Sequence, residues 1–248
     1  MNNKQLCTQT AGIIVIGNEI LSGKVHDVNS FYLASELRKL GVDVRCISVI
    51  PDEAEIIGEK TVEFSKKYSY VFTTGGIGPT HDDVTISGIS KGFGLKIVQH
   101  PEIKKILSEK YNNLLNEAVL KMAEVPEGAE VIFYKDMRFP IIYFKNIYIF
   151  PGIPEYLKNK FPFIRDRFIS SPFYIKRVFL NTHESDIAET LNKIVTEHDK
   201  VTIGSYPDVS NTEYRVVITV ESKSEDSLNR AFNDMVKRLP VKIIIRTE

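Results

Sequence analysis

The sequence has no surplus of charge of either sign: 32 Lys and Arg face 32 Asp and Glu among 248 residues. No global field therefore draws it to nucleic acid or to an anionic membrane, and neither is an expected partner. Cysteine is nearly absent. Cys7 and Cys46 are the only two, and their spacing suggests neither metal ligation nor a disulfide framework, so a reducing compartment is expected. No apolar run approaches the ~18 residues that a membrane span requires. Met1 to Gln5 carry no apolar leader, so the expected location is cytoplasmic. There is no repeat at solenoid periods and no low-complexity segment. With 43% hydrophobic and 26% charged residues, the chain suits one sizeable α/β core and a smaller second unit.

Two nucleotide motifs are also missing from the stretch around which the chain is organised, Thr73 to Thr85. A Walker loop ends in Gly-Lys-Ser/Thr, whereas Gly78 is followed by Pro79-Thr80-His81. A dinucleotide fingerprint needs a glycine where His81 stands. What the stretch does contain is Gly75, Gly76 and Gly78, followed by Pro79, Thr80, Asp82 and Asp83, directly after the apolar run Tyr70-Val71-Phe72. Glycines leave backbone N–H groups uncovered and permit positive φ, so several donors can converge on an anion. Two carboxylates beside a phosphate imply a bridging divalent cation, or an acid working as a base. The simpler alternative, a tight turn in which Asp82 or Asp83 caps the helix starting near Val84, accounts for one acid and one or two of the glycines.

In chain order, Ala11 to Ile16 is continuously apolar and β-branched, the pattern of a strand covered on both faces. A helix from Ser30 to Lys39 follows, capped by Asp27 or Asn29, with Phe31, Leu33, Ala34, Leu37 and Leu40 on one stripe and Gly41 ending it. Val42 to Val49 reads as a strand, Glu53 to Lys67 as a helix, Tyr70 to Thr73 as a strand, and Val84 to Lys91 as a helix stopped by Gly92. Pro101 to Ala123 holds one or two surface helices. Val131 to Tyr134, Ile141 to Phe144 and Ile147 to Phe150 read as strands, the last two joined at Lys145-Asn146. Pro151-Gly152-Ile153-Pro154 then turns into another helix.

Such β-α-β alternation predicts a mostly parallel sheet between helices, a three-layer α/β/α domain over residues 1–165, with ligands bound beyond the carboxyl ends of the strands. Glu19, Asp52 and the Asp82/Asp83 pair each follow a strand, so this topology gathers acids from three loops at one rim. A lone acid in such a place is ordinarily a cap or a solvated charge. A second α+β unit over residues 173–248 reads β-α-β-β-α-β, the split βαβ order. Gly204 to Asp208 is expected to be a loop, and Phe173, Tyr206 and Tyr214 to be packing residues, since the neutral chain argues against base stacking. His81 is either a ligand or a solvated neighbour of the acids.

The run Gly17-x-Glu19-Ile20-Leu21-x-Gly23, with Asp27, Asn29 and Asp52, the segment Thr74 to Thr85, and Pro151-Gly152-Ile153-Pro154-Glu155 resemble the MoaB/Mog molybdopterin-binding fold. Within it the chain resembles the competence/damage-inducible protein A branch, and most of all the amino-terminal molybdopterin-binding-like domain of animal FAD synthase. That nearer likeness rests on Thr10 to Ile14, Val49 to Glu53, Arg138-Phe139-Pro140 and Gly204 to Asp208. Two features depart from the wider branch: Asn18 stands where an aspartate is usual, and no Asn-x-x-Gly-x-Ala-Pro-Gly segment lies between Ala129 and Phe150.

The resemblance implies a metal-dependent hydrolase that cleaves FAD or ADP-ribose between the phosphates and releases AMP. Alternatives are a binding protein for molybdopterin or a nucleotide, and adenylyl transfer in molybdenum-cofactor synthesis. It implies Asp83 and Asp82 as catalytic residues and metal ligands, with Glu19 and Asp52 as further ligand candidates. Thr74, Gly75, Gly76, Gly78, Pro79, Thr80 and Thr85 are the implied nucleotide contacts of the loop. Gly17, Gly23 and Asn29 join them from the first loop, and Pro151, Gly152 and Pro154 from the last. The implied cofactor is a divalent cation, magnesium or cobalt, with potassium as an accessory and no organic cofactor. A homo-oligomer is expected. The adenylyltransferase and amidase domains fused to some relatives do not occur in this sequence, so FAD synthesis and deamidation are not expected.

Overall fold

The computed structural model describes residues 8–134 and 139–248; Cys7, Met1 to Gln5 and Arg138 lie outside them. The chain forms two compact units, Met1–Ser170 and Ser171–Glu248.

The first unit begins with β1 (Thr10–Ile16), α1 (Asn18–Leu21), α2 (Asn29–Lys39), β2 (Asp43–Ile50), α3 (Ala54–Lys67), β3 (Tyr70–Thr74) and α4 (Thr85–Phe93). It continues through β4 (Ile97–Gln99), α5 (Pro101–Tyr111), α6 (Glu117–Lys121), β5 (Glu124–Pro126), β6 (Glu130–Ile132), β7 (Ile141–Phe144), β8 (Ile147–Phe150) and α7 (Pro154–Ile164). The main sheet runs β2-β1-β3-β8-β7-β6. β2, β1, β3 and β8 are mutually parallel, and β7 and β6 extend the sheet antiparallel. Ile13 and Val15 of β1 pack with Leu33, Leu37, Leu157 and Phe161 on one face, and Ile14 and Ile16 with Ile57, Phe64 and Ile89 on the other. The period-2 alternation of side chains thus feeds two cores from one continuously apolar strand.

Two sequence expectations are corrected here. Phe31 leaves the α2 stripe and is exposed, while Leu33 and Leu37 are fully buried. Its position turns it out of the roughly 100°-wide arc that meets the sheet. Gly92 does not stop α4; Gly94, at φ +66°, does. Gly92 and Gly88 instead lie against α3: a Cβ on Gly92 would stand 2.5 Å from the carbonyl oxygen of Gly58. The small antiparallel pair β4-β5 was not expected, because three-residue strands carry no period.

The second unit is β9 (Tyr174–Leu180), α8 (Glu184–Glu197), β10 (Thr202–Pro207), β11 (Val216–Ser222), α9 (Glu225–Arg238) and β12 (Ile244–Thr247). Its antiparallel sheet has the order β10-β11-β9-β12, the split βαβ topology. Val178, Leu180, Ile218 and Val220 pack against Ile187, Ile194, Leu228 and Met235. Gly204 to Pro207, expected as a loop, pairs with Val216 to Thr219 inside this sheet. Tyr214 packs edge-on to Phe179 at 5.0 Å, and Lys223 stands over the Phe173 ring. Among the described residues no helix is long and apolar enough to cross a membrane.

Candidate functional site

The carboxyl ends of β1, β2, β3 and β8 deliver four loops to one rim, and backbone bonds tie neighbours together. Gly75 N donates to Phe150 O at 3.1 Å, and Gly17 N donates to Ile50 O at 3.1 Å. Gly75 and Gly76 take φ of +107° and +62°. A Cβ on Gly75 would stand 2.1 Å from Ile16 O, and one on Gly76 would stand 2.4 Å from Thr85 Oγ1. Glycine is therefore required at both by conformation and by space. Thr85, fully buried at the start of α4, holds the loop from below. Its Oγ1 donates to Gly75 O at 2.9 Å and its N–H to Gly76 O at 3.0 Å.

Asn29 joins the loops after β1 and β8. Its Nδ2 donates to Gly152 O at 2.7 Å and to Thr74 Oγ1 at 2.9 Å, while Thr74 Oγ1 donates to Pro151 O at 2.9 Å. Both amide hydrogens are committed to protein acceptors, so Asn29 braces the rim and has none left for a phosphate. The cap of α2 is Asp27, whose Oδ1 accepts from Asn29 N at 3.0 Å and Ser30 N at 3.1 Å.

The two adjacent acids converge on a third oxygen. Thr80 Oγ1 lies 2.6 Å from Asp82 Oδ1 and 2.6 Å from Asp83 Oδ2, and Thr80 N donates to Asp83 Oδ2 at 2.8 Å. A hydroxyl carries one hydrogen, so one of those two short contacts sets acceptor against acceptor. A cation between the carboxylates would relieve that contact, and the all-oxygen donor set would suit a hard divalent ion. The Thr80 hydroxyl, first among several causes, holds the Asp82 carboxyl below the usual carboxylate range. Lys121 Nζ donates to Thr80 O and anchors the turn. His81 is almost fully exposed, with Nδ1 3.9 Å from Asp82 Oδ1, the geometry of a solvated neighbour.

A cavity of about 1090 Å³ opens in front of the glycine loop. Of the residues singled out in the sequence, Gly75, Gly76, Gly78, Pro79 and Asp83 line it from the loop, and Glu19, Pro151, Gly152 and Pro154 from its neighbours. Thr74, Asn29 and Thr85 stand behind this wall as braces. Thr80 and Asp82 sit on the turn beside it. Gly17 leaves room for the Glu19 carboxylate, which a Cβ there would meet at 2.6 Å. Gly23, at φ +70°, closes the turn after α1. Asp52 Oδ2 accepts from Asn18 N at 2.7 Å and so serves as a cap. This bond uses the backbone of residue 18, which the change to asparagine leaves in place. Among the described residues no three His, Cys, Asp or Glu side chains converge as a metal cage; the acids supply one pair, with Glu19 on the same cavity.

The α7 lining of the cavity went unnoticed in the sequence. Tyr156, Asn159, Lys160 and Phe163 of α7 line the cavity, spaced i, i+3, i+4 and i+7, while Leu157, Phe161 and Ile164 enter the core. This second stripe was legible as a helical period. Lys160 is only 7% exposed. Its Nζ donates to Pro140 O at 3.0 Å and lies 5.0 Å from the centre of the Phe139 ring. Burial pushes its ammonium down to about 8.

Comparison with known proteins gives two family matches: residues 12–169 match a family described as a probable molybdopterin binding domain, and residues 172–248 match the middle domain of FAD synthase. A protein of Archaeoglobus fulgidus is 39% identical over 195 residues, covering 79% of this chain and 84% of its own. A probable FAD synthase of Caenorhabditis briggsae is 29% identical over 248 residues, covering 89% of this chain. The chain spans about half, 47%, of that relative's length. The crystal structure of CinA from Thermoplasma acidophilum, itself described as of unknown function, superposes with a TM-score of 0.61 at 26% identity, over 65% of this chain and 99% of that one.

Proposed function

The chain belongs to the family of probable molybdopterin binding domains, and from that premise we propose that it is a nucleotide diphosphate hydrolase that cleaves FAD or ADP-ribose and releases AMP. The observation that carries this reading is the placement of Gly75, Gly76 and Gly78 with Asp83 on one wall of a single large cavity. The match of the second unit to the middle domain of FAD synthase, and the relatives bearing that enzyme's name, favour a nucleotide over other anions.

In this reading the glycine loop binds one phosphate through backbone N–H groups, fixed in advance by Thr85 and Asn29, so little reorganisation opposes binding. Asp83, with Asp82 and Glu19, would hold a divalent cation. Such an ion neutralises phosphate charge and lowers the pKa of water when bound. A cation held by one or two carboxylates and completed by the ligand's phosphates is the ordinary mode for magnesium, and it requires no three-acid cage. The Tyr156 and Phe163 rings offer an apolar wall for an aromatic base.

A second reading, a binding protein without turnover, is favoured by the position of Asp82, which is not among the residues lining the cavity. One experiment separates the two. The protein is incubated with FAD or ADP-ribose and magnesium, manganese or cobalt, and AMP is followed by chromatography. AMP release with either substrate supports hydrolysis. Tight binding with no AMP under any metal overturns it in favour of the binder. Adenylylated product formed from molybdopterin and ATP would identify a transferase.

A further inference from the structure

The glycine loop and acids account for one side of the cavity and leave Lys160 without a role. A buried ammonium is costly unless charge or several hydrogen bonds compensate it. Lys160 has one carbonyl partner, Pro140 O, and one ring, Phe139. Among the described residues it forms no ion pair, and burial is the sole cause of its perturbed acidity. Among the described residues its three hydrogens serve two neutral partners, and the residue opens onto the cavity.

The other titratable groups lining that cavity are Glu19 and Asp83 from the loops, Lys110 and Tyr111 from the end of α5, and Tyr156 from α7 itself. The two acids belong to the cation site proposed above, which leaves Lys160 of α7 as a desolvated positive charge on the same cavity. Lys110 sits on a surface helix, where water screens it.

We propose that Lys160 is the anion-binding side chain of the cavity, a specificity-determining residue that engages a phosphate of a diphosphate ligand facing the glycine loop. Identifying that ligand as a nucleotide rests on the function proposed above; the anion site itself does not. An anion arriving beside Lys160 supplies a counter-charge that the described residues do not, favours its protonated form and couples binding to proton uptake.

The test uses inorganic pyrophosphate in metal-free buffer, titrated calorimetrically into the parent protein, Lys160→Met and Lys160→Gln. Methionine matches the apolar stem, and glutamine keeps a donor for Pro140 O; thermal melting verifies that both variants fold. At pH 7 the parent is expected to bind at least ~10-fold more tightly than either variant. Between pH 7 and 9 that ratio should fall by up to ~10-fold as Lys160 loses its proton, and taking the ratio cancels the titration of pyrophosphate itself. Affinity within twofold in folded Lys160→Gln, a ratio that does not change with pH, or a parent that does not bind pyrophosphate overturns the proposal. AMP release is scored separately with FAD and ADP-ribose. A parent that binds pyrophosphate through Lys160 but releases no AMP upholds this site and overturns the hydrolase.

Discussion

Asn29 donates to the carbonyl of Gly152 at 2.7 Å across 123 residues of sequence, and through Thr74 the same amide reaches the glycine loop. Replacing Asn29 with Ala leaves the Gly152 carbonyl and the Thr74 hydroxyl short of a donor in a buried setting. The expected loss is about 1–3 kcal/mol of stability in the first unit, with weaker nucleotide binding as the two loops separate. Asn29→Asp should be worse, because it turns a carboxylate oxygen towards a carbonyl. Urea denaturation followed by circular dichroism, with FAD titrations alongside, checks both; equal stability in all three proteins would remove the brace.

Gly76→Val should abolish nucleotide binding. The position has φ +62°, and a Cβ would stand 2.4 Å from the Thr85 hydroxyl that holds the loop. Thr85→Ser keeps that hydroxyl and should retain binding, whereas Thr85→Val, of similar shape, should lose it. Unchanged FAD affinity in Gly76→Val would contradict the assignment of the loop as the phosphate cradle.

Asp83→Asn separates chemistry from architecture. The Asp83 carboxylate accepts from the Thr80 backbone, and an asparagine carbonyl can accept there too, so the turn should survive. Loss of the charge should lower turnover by ~10²-fold or more, while nucleotide affinity without metal stays equal or improves. Asp82→Asn should be milder, since Asp82 does not line the cavity. Equal loss of rate and affinity in Asp83→Asn would instead make Asp83 a structural cap.

Lys160 also makes stability depend on pH. Its folded pKa, about 8, lies below that of a free lysine, so between the two the unfolded chain binds the extra proton and stability rises with pH. Below pH 8 the buried charge destabilises the fold, by on the order of 3 kcal/mol from the size of the shift. Lys160→Met should therefore melt higher than the parent at pH 7, and the gap should narrow between pH 8 and 10.5. A gap that stays constant over that range would refute a buried, desolvated ammonium.

Periodicity in the chain specified the long elements: the apolar parallel strands, the amphipathic helices and the β-α-β-β-α-β order of the second unit. The sequence also marked the glycine loop and its acids, because Gly75 and Gly76 take a positive φ that favours glycine and the paired acids follow them within the same stretch. Only the tertiary structure assigned the roles within that set. Asp52 became a cap and Asn29 a brace because their partners, Asn18 and Gly152, lie 34 and 123 residues away. Gly92 fell inside α4 because what it accommodates is the Gly58 backbone of another helix. Lys160 looked like any lysine on a charged helix. Its burial depends on Phe139 and Pro140 arriving from another segment, and desolvation is a property of everything packed around a group, which no local pattern in the chain encodes.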